Sequence, residues 1–141
     1  KFWGLAGVRL GFAIGDPELI KRLRNMLGPW VVSGPALKIG TQALSDPHWA
    51  AQTRVRLAAD ANQLDQIMTQ TGSATLIGGT TLFRLYQVAN ATTWQNHLAK
   101  SAIWSRIFPY SNHWLRLGLP ADAVDFERLH RAAKTFAKDV L

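Results

Sequence analysis

Apolar residues follow two rhythms along this chain of 141 residues. Through residues 16–71, and again from 122 onward, they recur at three- and four-residue steps, the spacing of one buried stripe on a helix. Between 75 and 119 they come mainly as short runs rich in β-branched and aromatic residues, which favour strands. Asp16-Pro17-Glu18 predicts the first helix start. Asp16 can cap it, Pro17 fits the first helical position and Glu18 complements the dipole. Leu19, Ile20, Leu23 and Leu27 give this helix an apolar face, and Gly28-Pro29 ends it. A second helix is predicted over 35–44. Asp46-Pro47 repeats the start signal and opens a helix running to about Thr71, with Trp49, Leu57, Leu64, Ile67 and Met68 on its buried side.

The remaining elements are shorter. Residues 10–14 read as a buried strand closed by Gly15. After Gly72-Ser73, residues 75–77 and 81–88 predict one kinked strand or two, interrupted by Gly78-Gly79. Thr92 or Thr93 caps a short helix ending near Lys100. Residues 103–108 and 113–119 predict two strands joined by a turn over 109–112. Pro120 breaks the second, and Asp122 caps a final helix whose buried stripe is Phe126, Leu129, Ala133, Phe136 and Val140. The order is a strand, three helices, then β-α-β-β-α. That is an α+β fold, with a small antiparallel-rich sheet covered by helices on one side.

Composition narrows the chemistry. A hydrophobic content of 48% and a charged content of 18% suit a globular domain rather than a disordered chain. With no cysteine, neither a disulfide framework nor a thiolate zinc site is possible. No apolar run is long enough to cross a bilayer and no secretion signal is visible, so a cytoplasmic setting is expected. The net charge of +7 raises the question of nucleic acid or an anionic membrane. The cations are scattered, however, in small groups such as Lys21-Arg22-Leu23-Arg24, so neither partner is expected. Phosphorylated small molecules also suit a basic protein. His48, His97, His113 and His130 have no metal-ligand spacing and are expected at the surface or in caps. No phosphate-loop, dinucleotide or nucleophile-elbow motif occurs.

The opening stretch Lys1-Phe2-Trp3-Gly4-Leu5-Ala6-Gly7-Val8-Arg9-Leu10-Gly11 carries the candidate chemistry. A lysine amine forms a Schiff base with an aldehyde when it is deprotonated and held in place. A nearby cation lowers its pKa. Arg9 is such a cation, and its planar fork can also grip a phosphate. Small residues between the two let the backbone approach a planar ligand. Pyridoxal phosphate, with an aldehyde and a phosphate, fits that pair. By spacing alone, the alternative is a lysine at a frayed terminus followed by a glycine-broken strand. Arg116 is the second candidate. In an alternating strand it shares a face with Trp114 and Gly118, while Leu115 and Leu117 face the core. It can take a carboxylate bidentately or be an ordinary exposed arginine. The turn over 109–112 predicts Arg106 at the same mouth, and two such groups suit a substrate with a carboxylate and a phosphate. Arg84 has no role assigned by the pattern, a structural ion pair being one option, and Ser33 and Asn112 are expected to serve the backbone in turns.

K-F-W-G-L-A-G-V-R-L-G resembles the cofactor-lysine segment of fold-type I pyridoxal-phosphate enzymes, the class I/II aminotransferase superfamily, in its histidinol-phosphate aminotransferase branch. G-P-W-V-V-S-G-P-A-L from Gly28, G-G-T-T-L-F-R-L from Gly78 and W-L-R-L-G-L-P from Trp114 look more specifically like the threonine-phosphate decarboxylases of cobalamin biosynthesis. The resemblance covers nearly the whole chain but only the C-terminal part of such an enzyme. It implies that residues 1–46 end the cofactor-binding large domain and that 47–141 form the small domain, with one long linking helix. It makes Lys1 the cofactor lysine, Arg9 the cofactor-phosphate arginine and Arg116 the ligand of the substrate α-carboxylate. Arg106 would contact the substrate phosphate or share the carboxylate. The implied reaction converts L-threonine O-3-phosphate to aminopropanol phosphate in a homodimer. The alternatives are a histidinol-phosphate-type aminotransferase and, from another class, a non-catalytic basic domain that binds nucleic acid or protein. Family members carry an aspartate for the pyridine nitrogen and a stacking aromatic ahead of the lysine, so these 141 residues alone are expected not to turn over.

Overall fold

The computed structural model describes residues 1–70 and 72–140, without the side chains of 137–140. The chain divides into two compact units, Lys1–Ala51 and Gln52–Leu141. The division falls inside the long third helix, five residues beyond the boundary drawn from the sequence.

The first unit holds a 3-10 turn at Ala6–Val8, helix α1 at Pro17–Leu27, helix α2 at Gly34–Leu44 and the start of α3, Pro47–Thr69. Each helix start is chemically closed. Asp16 accepts from the Glu18 and Leu19 amides, Ser33 from the Ala36 amide at 3.3 Å, and Asp46 from the Trp49 amide at 2.8 Å. Three expectations fail here. Residues 10–14 form no strand, and Ile14 is 98% exposed. A strand satisfies its backbone by pairing, and among the described residues this unit has no strand to pair with. The apolar face of α1 is likewise uncovered at Leu19, Leu23 and Leu27, and Trp49 stays 39% exposed with its ring edge-on to Phe2. Leu10 packs on the buried Gly40 of α2, where a Cβ would overlap its side chain, so α2 seats the segment that follows Arg9.

The second unit holds the rest of α3 and then β1 (Ala74–Thr80), β2 (Phe83–Val88), α4 (Ala91–Lys100), β3 (Arg106–Phe108), β4 (Ser111–Gly118) and α5 (Ala123–Val140). The strands form one antiparallel sheet in the order β1-β2-β4-β3. Period-two alternation turns Ala74, Tyr86, Val88, Leu115 and Leu117 to one face. There they meet Leu64, Ile67 and Met68 of α3, Trp94 and Leu98 of α4, and Phe126, Leu129 and Phe136 of α5. The α+β class and the one-sided helical cover are therefore as expected.

Details differ where local chemistry is subtler than the pattern. Gly78 and Gly79 lie within β1 at a bulge, and two strands form, not one. A Cβ on Gly79, at φ 148°, would overlap the Phe83 carbonyl oxygen. Asn90, not Thr92 or Thr93, caps α4 by accepting from the Thr93 amide at 2.9 Å. Residues 103–105 stay out of β3 because the Ala102 and Ile103 amides still bond carbonyls at the end of α4. Asn112 lies inside β4 rather than in the turn. Asp122 caps α5 through the Asp125 amide at 2.9 Å. The predicted helix end at Thr71 and the Val140 side chain lie outside the described residues.

One polar contact ties α3 to the sheet. Asp65 takes Arg84 bidentately, with Nε at 3.0 Å and Nη2 at 2.6 Å, and accepts the Tyr86 hydroxyl at 2.7 Å. The Arg84 and Asp65 side chains are only 16% and 17% exposed. The structure thus gives Arg84, whose role the sequence leaves open, that of a structural ion-pair partner. The Asp65 hydrogen bond raises the Arg84 pKa further above its already high ordinary value. Burial first, and then the Asp65 hydrogen bond, push the Tyr86 phenol well above its ordinary 10.0. A raised folded pKa contributes stability that is complete below the unfolded value and is lost as pH rises above it. For Tyr86 that loss begins near pH 10, whereas for Arg84 it begins only at far more alkaline pH. Replacing Tyr86 by Phe should cost about 2 kcal/mol at neutral pH, the worth of a hydrogen bond to a charged acceptor. Urea unfolding at about pH 7 and pH 10.5 should show the wild type losing stability with alkalinity more steeply than Tyr86→Phe.

Candidate active-site surfaces

The sheet face opposite the helices carries Arg106 and Arg116. Their Cα positions are direct cross-strand partners between β3 and β4. Both line one open groove of about 570 Å³, with Phe83, Gln95, Trp104 and Ser105. Among the described residues, neither guanidinium has a carboxylate within salt-bridge distance. Each instead lies over a ring: Arg116 Cζ is 4.8 Å from the Phe83 centroid and Arg106 Cζ is 5.5 Å from that of Phe108. Gln95 donates from Nε2 to the Ser105 carbonyl at 3.1 Å, fixing the segment that leads into β3. The Ser105 hydroxyl is buried without a hydrogen-bond partner among the described residues. Two adjacent cations, each presenting a planar fork, have the chemistry to pair with two anionic groups of a small molecule.

In the first unit, Lys1 lines a cavity of about 210 Å³ with Trp3, Val8, Leu10, Phe12 and Gly40. Arg9 follows the 3-10 turn in a left-handed conformation, φ 57°, with its amide bonded to the Ala6 carbonyl at 3.3 Å. Its side chain is exposed and does not line that cavity. The Trp3 indole N–H is buried without a partner. The amine and guanidinium of this unit suit the aldehyde and phosphate ends of pyridoxal phosphate. The unit's three acids are occupied elsewhere. Asp16 and Asp46 cap helices, and Glu18 lies 3.9 Å from Lys21. The residues present therefore fit the two ends of the cofactor, and none of these acids is placed for its ring nitrogen.

Two of the histidines bond backbone carbonyls of other segments, His113 at the surface as expected and His97 half-buried. His97 Nε2 lies 2.8 Å from the Ala132 carbonyl oxygen and His113 Nδ1 lies 2.9 Å from that of Ala89. Among the described residues, no cluster of acids and histidines could hold a metal. Phe83, Gln95, Trp104 and Ser105 are groove residues that the motifs did not mark. Strand parity could have marked Phe83, which shares its face of β2 with Leu85, the cross-strand partner of Arg116. Gln95 acts from a helix and leaves no such trace.

The architecture is that of an aminotransferase. Histidinol-phosphate aminotransferase from Sinorhizobium meliloti, solved in complex with pyridoxal-5'-phosphate, superposes with a TM-score of 0.79 over 100% of this chain and 40% of its own. At 18% identity that likeness is one of fold. The profile of the family "Aminotransferase class I and II" matches residues 1–136, and the chain belongs to that family. Among curated relatives, threonine-phosphate decarboxylase from Pseudomonas aeruginosa is 38% identical over 96% of this chain and 40% of its own length. That from a Sinorhizobium species is 40% identical over 92% of this chain and 38% of its own. The chain thus spans about 40% of the length of these relatives.

The groove makes a prediction that needs no turnover. Calorimetric titration of succinate, a dicarboxylate probe, should show affinity falling about tenfold in Arg106→Ala and again in Arg116→Ala, as expected for lost charge-assisted hydrogen bonds. Unchanged affinity in both variants would place the anion elsewhere.

Proposed function

We propose that this chain forms the C-terminal part of a pyridoxal-phosphate-dependent threonine-phosphate decarboxylase of cobalamin biosynthesis, acting as a cytoplasmic homodimer. The carrying observation is the identity of 38% and 40% to two enzymes of that name over nearly all of the chain. The facing arginines of β3 and β4 support it, because the substrate bears a carboxylate and a phosphate. Residues 1–46 then close the cofactor-binding large domain, and residues 47–141 are the small domain.

Each side chain has a task. Lys1 would hold the cofactor through Nζ, its aldehyde oxygen leaving as water, and Arg9 would hold the cofactor's phosphate. When bound, pyridoxal phosphate supplies an electron sink. Arg116 takes the α-carboxylate of L-threonine O-3-phosphate through two parallel N–H donors. Arg106 contacts the substrate phosphate or shares the carboxylate. Arg116 would thereby hold the carboxylate in the orientation from which carbon dioxide leaves. Lys1 Nζ, free once the substrate amine has taken its place, would deliver the proton that replaces carbon dioxide on the α-carbon. The products are carbon dioxide and aminopropanol phosphate.

A histidinol-phosphate-type aminotransferase is the second reading, favoured by the shared fold with the Sinorhizobium meliloti enzyme. The same residues would bind substrate, and Lys1 would move a proton with the carboxylate retained. Membership of an enzyme family weighs against a non-catalytic basic domain.

The full-length protein, supplied with the cofactor and O-phospho-L-threonine, should release carbon dioxide with no 2-oxo acid present. Arg116→Ala should raise KM about a hundredfold, the upper range for a bidentate charged contact. Product formation that requires a 2-oxo acid and keeps every substrate carbon would establish the aminotransferase instead. The 141-residue chain alone should show no turnover.

A further inference from the structure

Arg84 and Arg116 are held in opposite ways. Asp65 occupies the fork of Arg84 with both carboxylate oxygens, leaving that edge no room for a ligand. Arg116 has no such clamp among the described residues. Its guanidinium carbon lies 4.8 Å from the centre of the Phe83 ring. The register explains the contact. Phe83 pairs with Gly118 and Leu85 with Arg116, so Phe83 is the diagonal neighbour of Arg116 on the open face. Gly118 puts no side chain between them, and its Cβ position lies 3.9 Å from the Phe83 ring. A ring against a guanidinium restrains the long side chain through its flat face and leaves the in-plane N–H donors unoccupied.

We infer that Phe83 is a positioning residue for Arg116: its ring restrains the guanidinium so that the donor edge stays open to the groove, where a substrate carboxylate docks. This rests on the proposed role of Arg116. The groove that the two residues share also contains Arg106, which lies over the Phe108 ring. A carboxylate clamp in place of Phe83 would neutralise the charge that the substrate needs.

The test uses the full-length protein. Phe83→Leu should raise KM for O-phospho-L-threonine about fivefold with kcat nearly unchanged, and Phe83→Tyr, which keeps the ring, should restore KM. The Arg116 Nε–H resonance should lose its ring-current shift in Phe83→Leu and keep it in Phe83→Tyr. Should Phe83→Leu melt below the assay temperature, Phe83→Met takes its place with the same outcomes. An unchanged KM without the ring, or a Tyr variant as impaired as the Leu variant, overturns the inference. If the wild type turns nothing over, the proposed function fails. Titration of O-phospho-L-threonine into the arginine Nε–H spectrum then decides the inference separately. A weaker response of Arg116 in Phe83→Leu supports it, and an equal response, or none in the wild type, overturns it.

Discussion

The second unit depends on where one carboxylate sits. Asp65 projects from α3 onto β2 and engages Arg84 and Tyr86, two residues of the same strand face. A partly buried ion pair is costly to desolvate and strongly destabilising to break from one side, so it specifies an arrangement more than it adds net stability. Here it specifies strand parity. A one-residue slip of β2 would bring Phe83 and Leu85 under the helix and turn Arg84 and Tyr86 outward. With Asp65 in place, that slip would leave a carboxylate facing apolar side chains.

The open face of the sheet follows from the same parity. With Tyr86 committed to the core, Phe83 must face the groove, and the β2–β4 register sets it beside Arg116. The β3–β4 register then aligns Arg106 with Arg116. Two cations on adjacent strands repel, and no acid among the described residues offsets them. An anionic ligand bound in the groove would supply the missing charge. The first unit works differently. Its candidate amine and guanidinium lie on a loosely folded segment seated by Leu10 on Gly40.

How legible this was in the sequence depended on the range of the cause. Helix starts at Asp16, Ser33, Asp46 and Asp122 follow from capping chemistry within three residues, and all four helices begin there, although Ser33 had been assigned only to a turn. The Leu115/Leu117 and Trp114/Arg116 division of β4 follows from period two, and the burial obeys it. Residues 10–14 misled because an apolar run signals burial without saying against what. β3 came out shorter because the end of α4 captures the Ala102 and Ile103 amides, a competition invisible to pattern. Asp65 as the partner of Arg84, and Gln95 as the anchor of Ser105, are contacts across 19 and 10 residues that no local motif encodes.

The claim on which the functional account turns is that Lys1 bonds the cofactor. The most direct measurement is the absorbance spectrum of the full-length protein with pyridoxal phosphate beside that of its Lys1→Ala variant. The account predicts a visible band in the wild type that is absent from the variant. A wild type without the band, or a band that persists unchanged in Lys1→Ala, would contradict it.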